Sequence, residues 1–211
     1  YDCIVFSHRG FGHSYDSKDA LGVESFPDDL RSLVDALEIK NMHLVAQSMG
    51  GRTALGFAVN HPKRVLSITF ADTTGAMGEL DVETALSHWR ESHPDTRGIG
   101  FRALSDGFRT RNPAMANLYL QIQRSNPPRD VSGGVLYGGP RAKDLKKLIM
   151  PVQFIVGEDD EITPPHVLNL ASAHIEGSKV IIIPDCGHSV YFEKPEIFNF
   201  EVEKFIEGCS G

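Results

Sequence analysis

The sequence predicts an α/β fold, a mostly parallel sheet with flanking helices and one helical insertion, on three observations. Short β-branched runs alternate with segments of helical period, the pattern of parallel strands joined by helices. That rhythm stops after Phe70 and resumes at Pro151. A serine bracketed by small residues, Ser48, stands between one strand-like run and the helical segment after it.

Taken in order, residues 2–7 read as a strand, residues 8–13 as its glycine-rich exit loop, and residues 28–37 as a helix with Leu30, Leu33, Val34 and Leu37 on one face. Residues 43–47 form the next strand and residues 49–60 a helix that stops before Pro62. A third strand covers residues 65–70. Helical period then marks residues 82–91, 99–109 and 114–124, with breaks at Asn126-Pro127-Pro128 and Gly138-Gly139-Pro140. Strand 152–156, helix 165–174, strand 179–184 and helix 195–207 complete the chain. The division that follows is a core of residues 1–72 and 148–211 with a helical insertion over residues 73–147.

Length and composition bound the function. The 211 residues suffice for one domain with a sizeable buried core. Hydrophobic residues at 41% and charged residues at 23% match ordinary globular proteins and oppose disorder. Apolar runs such as Ile181 to Ile183 are strand-sized, far short of the roughly 20 residues that span a bilayer. The net charge of −7 carries no basic run, which opposes nucleic-acid binding. Three cysteines, Cys3, Cys186 and Cys209, show no metal-ligand spacing, so neither a disulfide framework nor a zinc site is expected and a reducing cytoplasm fits. The chain opens at Tyr1 rather than Met, which reads either as a native start or as the edge of a longer protein.

The run Ala46-Gln47-Ser48-Met49-Gly50-Gly51 has the layout of a nucleophile elbow. Small residues two before and two after the serine, Ala46 and Gly50, allow a sharp strand-to-helix turn, and Gly51 lets the helix approach the sheet. At a helix N-terminus the serine also meets backbone N–H groups that favour developing negative charge, that of Met49 among them. No lysine follows the glycines, which opposes a phosphate loop. A hydroxyl needs a base and a residue that orients the base. An acidic loop after the strand at 152–156 offers Asp160, with Glu158 and Asp159 as alternatives, and His188 follows the next strand. The order Ser, acid, His is the one the elbow motif carries. The remaining histidines, His8, His13, His43, His61, His88, His93, His166 and His174, lack an acid counterpart in pattern and read as structural or solvated. Cys186, two residues before His188, reads as a small packed residue.

Four segments resemble the α/β-hydrolase family, in particular its carboxylesterase, 3-oxoadipate enol-lactonase and meta-cleavage hydrolase branch. They are Arg9-Gly10-Phe11-Gly12-His13-Ser14, the elbow, Gly157 with Asp160 and Pro164, and Gly187-His188 with Glu193 and Pro195. The resemblance covers essentially the whole chain and implies an α/β-hydrolase fold with a Ser48, His188, Asp160 catalytic triad and a cap domain that roofs the site. Three departures stand against it. Ala46 and His8 replace the family's usual Gly and Asp. The family's first three strands and its His-Gly oxyanion loop have no counterpart. If residues 2–7 move in beside residues 43–47, Gly10 and Phe11 become candidates for the second oxyanion donor.

The expected chemistry is acyl transfer by a serine esterase acting on a small-molecule ester or lactone, with neither cofactor nor metal implied and no membrane partner. Hydrolysis of an enol-lactone or a C–C bond is the alternative, because the same triad serves those reactions. A weakly active or non-catalytic ligand-binding protein is the alternative of another class. Trp89, Phe101, Phe108 and Tyr119 of the cap suggest an apolar acyl or aryl pocket, or cap core.

Overall fold

The computed structural model describes residues 1–14, 22–126 and 138–209. Four strands, β1 (Met42–Gln47), β2 (Val65–Ala71), β3 (Val152–Gly157) and β4 (Lys179–Ile183), form one sheet in that order, every neighbouring pair parallel. Parallel pairing requires a crossover between strands. Helix α1 (Phe26–Ala36) precedes β1, and α2 (Gly50–Asn60) carries the chain from β1 to β2. Between β2 and β3 lie α3 (Leu80–Ser92), α4 (Ile99–Arg102), α5 (Asp106–Arg111), α6 (Pro113–Arg124) and α7 (Ala142–Leu145). Helix α8 (Pro165–Ala173) joins β3 to β4, and α9 (Val190–Glu193) and α10 (Pro195–Gly208) follow.

Side chains alternate across a strand, and β3, buried at every residue, divides between two cores. Val152, Phe154 and Val156 pack with Leu55 and Ala58 of α2 and Leu168 and Ala171 of α8. The opposite face sends Ile155 into a smaller cluster with Ala71, Ile183, Cys186, Val190 and Phe198. Stacked Phe70 and Phe154 rings, 5.2 Å apart, sit in the larger core.

The insertion is not a lobe apart from the sheet. Val82 and Leu86 of α3 are buried in the main core, whereas Leu104, Phe108 and Ala116 form a separate cluster with Tyr119 and with Phe192 of α9. The expected helix over residues 99–109 is two, α4 and α5. Ser105 breaks it by capping α5: its side chain accepts the Phe108 N–H at 3.0 Å, the preferred role of serine at a helix start. In the break at Asn126-Pro127-Pro128, Pro127 and Pro128 lie outside the described residues, while Gly138 takes φ +71° and Gly139 N–H bonds Ala76 O at 2.9 Å.

The expected strand over residues 2–7 does not form, and this corrects the idea that it moves in beside β1. Among the described residues β1 pairs with β2 alone. A strand exists by its ladder of interstrand hydrogen bonds, and this segment has none, leaving Ile4 55% and Val5 94% exposed. Among the described residues no helix is long and apolar enough to cross a membrane.

Candidate active site

Strand β1 ends at Gln47 and α2 begins at Gly50, so the chain turns through Ser48 and Met49 alone. Ser48 adopts φ +49°, a left-handed conformation that costs a non-glycine residue roughly 1–3 kcal/mol and needs support from its surroundings. Its N–H donates to Ala71 O at 2.9 Å, and its own carbonyl accepts Gly51 N–H at 2.9 Å. The steric demand falls on Gly51. A Cβ there would stand 2.5 Å from Thr73 Cγ2 and 3.1 Å from Gly75 Cα, whereas one on Gly50 would meet only Ala46 Cβ at 3.9 Å. Gly51→Ala is therefore expected to destabilise the protein by about 1–3 kcal/mol through overpacking, and Gly50→Ala to stay within about 1 kcal/mol of the parent. Urea midpoints of the two variants measure the difference, and equal midpoints would refute it.

Three loops at the C-terminal ends of β1, β3 and β4 bring the site together. His188 Nε2 lies 2.8 Å from Ser48 Oγ, and its Nδ1 lies 2.8 and 3.0 Å from the two carboxylate oxygens of Asp160. His188 and Asp160 are buried and Ser48 is half-buried. Asp160 Oδ1 also accepts the N–H groups of Ile162 and Thr163 at 2.7 and 2.9 Å, which fixes the plane of the carboxylate. Glu158 and Asp159 are exposed, and Glu158 is used to accept Asp185 N–H. Of the three acids, Asp160 is the one within reach of His188. Gln47 Nε2 donates to His188 O at 2.9 Å, tying the His188 loop back to the turn at Ser48.

Two acids were not singled out as functional from the sequence. Asp72 follows β2 directly and is fully buried, accepting Gly157 N–H at 3.2 Å and Val190 N–H at 3.3 Å. It bridges the strand that leads to Asp160 and the segment after His188. Burial, joined by the nearby Asp160 charge, pushes its carboxyl well above the usual range. An acid at the end of a parallel strand, where sites of α/β folds gather, was the available signal. Glu193 accepts hydrogen bonds from Ser105 and Gly187.

Met49 is the N-cap of α2, at the helix end whose first N–H groups lack intrahelical acceptors. Gly10 and Phe11 do not offer comparable donors. Gly10 N–H bonds Ser14 O at 3.3 Å and Phe11 N–H bonds His8 O at 2.9 Å, so their own turn consumes both. His8 packs on Phe26 and hydrogen-bonds Thr53 Oγ1 at 2.7 Å.

The aromatic residues of the insertion divide in role. Trp89 Nε1 donates to Glu161 O at 2.9 Å, Phe101 lies under the guanidinium groups of Arg97 and Arg109, and Phe108 is buried against Phe192. Tyr119 alone reaches the base loop, its hydroxyl 2.9 Å from Ser189 Oγ. Surface hollows of about 640 Å³, along Leu80 and Thr84, and about 370 Å³, beside Phe6 and Arg9, include none of the three central residues.

Cys186 is buried, and desolvation holds its thiol far above the ordinary value, so it is a packed residue rather than a nucleophile. His174 does find an acid, with Nε2 2.9 Å from both oxygens of Asp81. Together with Glu79 these are, among the described residues, the one group that could hold a metal ion. The Asp81–His174 pair already satisfies its members, and Glu79 accepts Ala142 N–H.

A family model described as alpha/beta hydrolase fold matches residues 1–195. The 3-oxoadipate enol-lactonase 1 of Acinetobacter baylyi is 26% identical over 216 residues, covering 100% of this chain and 78% of that protein. The 2-hydroxy-6-oxo-2,4-heptadienoate hydrolase of Pseudomonas putida is 25% identical over 215 residues, covering 95% and 74%. Among solved structures, a thermophilic esterase from Thermogutta terrifontis superposes with a TM-score of 0.77 at 25% identity, covering 95% of this chain and 78% of that one.

Proposed function

We propose that this chain, which belongs to the α/β-hydrolase family, is a serine hydrolase that cleaves carboxylic esters of small or medium acyl or aryl groups through an acyl-enzyme. The observation that carries this reading is the continuous hydrogen-bonded row from Ser48 Oγ through His188 to Asp160. Each link answers one chemical need: a base within 2.8 Å of the hydroxyl, and an acid that holds the imidazole with Nε2 turned toward it.

As Ser48 Oγ attacks the carbonyl carbon, His188 Nε2 takes its proton and Asp160 stabilises the imidazolium. The carbonyl oxygen becomes an oxyanion, to which the Met49 N–H donates. Collapse of the tetrahedral intermediate breaks the C–O bond, and the proton passes from His188 to the departing alkoxide. Water then attacks the acyl carbon while His188 takes its proton, and the carboxylic acid leaves as Ser48 regains its hydrogen. A lactone enters the same sequence as an internal ester, and the enol-lactonase relative supports including it among substrates.

One observation favours a weakly active or ligand-binding chain instead. The N–H groups of Gly10 and Phe11 are spent within their own turn, and loss of one oxyanion donor typically lowers turnover about 10²–10³-fold. Fluorophosphonate labelling followed by peptide mass mapping, beside a p-nitrophenyl ester series of rising acyl length, separates these readings. Covalent modification of Ser48 together with turnover is expected. Labelling without turnover would support the ligand-binding alternative, and no labelling of Ser48 would overturn the serine-hydrolase reading.

A further inference from the structure

Helix α5 of the insertion is seated directly on the loop that carries His188. A Cβ on Gly187 would lie 2.6 Å from Ser105 N and 3.0 Å from Leu104 C, so two backbones touch where a side chain would otherwise stand. Behind them, a Cβ on Gly157 would run into the carbonyl oxygens of Cys186 and Gly187. The end of β3, the base loop and the start of α5 are thus stacked backbone on backbone, with glycine at both contacts.

Glu193 locks this stack. One carboxylate oxygen accepts Gly187 N–H at 3.0 Å and Ser105 N–H at 2.8 Å, and the other accepts Ser105 Oγ–H at 2.6 Å. Glu193 is only 7% exposed, so these three bonds replace the water its carboxylate has lost. On the other side of the base, Ser189 Oγ meets the Tyr119 hydroxyl of α6 at 2.9 Å. One residue earlier than Cys186, Asp185 at φ +51° pairs with Arg111 at 2.5 Å. Of the residues flanking His188, Ser189 is therefore held by the insertion directly and Gly187 through Glu193, in addition to the hold that Gln47 and Asp72 exert from the sheet.

We propose that the insertion positions the base: Glu193, bridging Ser105 and Gly187, is a positioning residue that couples the seating of α5 to the aim of His188 at Ser48, with Tyr119 as a second tie. The inference rests on the serine-hydrolase reading. An imidazole that must reach a hydroxyl at 2.8 Å tolerates little drift of its loop. The sheet holds the His188 carbonyl and the Val190 N–H, Glu193 of α9 holds the Gly187 N–H while itself tied to Ser105 of the insertion, and Tyr119 of the insertion holds the Ser189 hydroxyl. Unseating the insertion removes the Ser105 partners that fix Glu193 and the Tyr119 tie, and leaves the ring hinged on the sheet.

Steady-state hydrolysis of p-nitrophenyl butyrate, the rate of fluorophosphonate labelling at Ser48 and thermal unfolding test this in the full chain. Glu193→Ala should lower kcat and the labelling rate about 100-fold with KM within about twofold, because three bonds are lost together. Glu193→Gln should restore most of the loss, since its carbonyl oxygen still accepts both N–H groups and its amide reaches Ser105 Oγ. Should Glu193→Ala fail to fold, the double variant Ser105→Ala with Tyr119→Phe removes the Ser105 hydroxyl bond to Glu193 and the Tyr119 tie to Ser189 while keeping both N–H bonds to Glu193, and should lose about tenfold in kcat. Parent-like kcat and labelling in a folded Glu193→Ala protein, or in the double variant, would overturn the coupling. So would a loss confined to KM, or a glutamine variant no better than alanine. A parent protein that is not labelled at Ser48 would sink the serine-hydrolase reading first and the coupling with it.

Discussion

His188→Ala is expected to lower kcat for a p-nitrophenyl ester by about 10⁶, as much as the loss of Ser48 itself, because a serine hydroxyl without its base is a poor nucleophile. The two residues act as one unit through the 2.8 Å bond between Nε2 and Oγ. Their effects should therefore not add: the Ser48→Ala, His188→Ala double variant is expected to match either single one. Folding should survive the substitution. Asp160 keeps the Ile162 and Thr163 N–H groups as partners, and Gly187 and Val190 keep theirs. The measurement is kcat beside a thermal unfolding curve, and activity within tenfold of the parent would show that His188 is not the base.

Asp160→Asn should cost about 10⁴ in kcat with little change in fold, for a reason that lies in the bonds around the carboxylate. Oδ1 already accepts two backbone N–H groups, from Ile162 and Thr163. An amide at this position must keep its oxygen there, which turns its NH₂ toward His188 Nδ1, now 2.8 Å from Oδ2. The imidazole would then have to accept at Nδ1 and carry its proton on Nε2, facing the Ser48 hydroxyl whose proton it should take. KM should change little, because the substitution removes an interaction needed as the imidazolium forms. Asp159→Asn is the control: that side chain is exposed and makes none of these contacts, so parent-like activity is expected. A reversed ranking of the two variants would assign the acid to Asp159.

Much of this site was legible along the chain because its geometry is local at each end. The nucleophile elbow depends on residues that are neighbours in sequence, and the acid and base loops each follow an apolar strand. Such signals single out Ser48 and His188 as candidates and favour Asp160 as the acid over Glu158 and Asp159. The same local logic failed where a segment depends on a distant partner. Residues 2–7 have the β-branched character of a strand but no neighbouring ladder, and residues 99–109 have helical period but a serine whose hydroxyl serves α5 as a cap and Glu193 as a donor.

The amino-acid sequence by itself determined the α/β rhythm, its pause between Phe70 and Pro151, and the chain order of the candidates Ser48, Asp160 and His188, since each follows from propensity, period or spacing within one segment. Tertiary structure put Asp160, the acid already favoured in the sequence, within reach of His188, and alone decided that Gly51 rather than Gly50 bears the steric demand of the turn and that Asp72 and Glu193 bond the segments beside His188. Most of those choices rest on contacts between residues far apart in sequence, 28 positions for Asp160 with His188, 88 for Ser105 with Glu193 and 118 for Asp72 with Val190. Hydrogen bonds and close backbone approaches of this kind act over a few ångströms, and only the packed sheet and its insertion bring the partners that near.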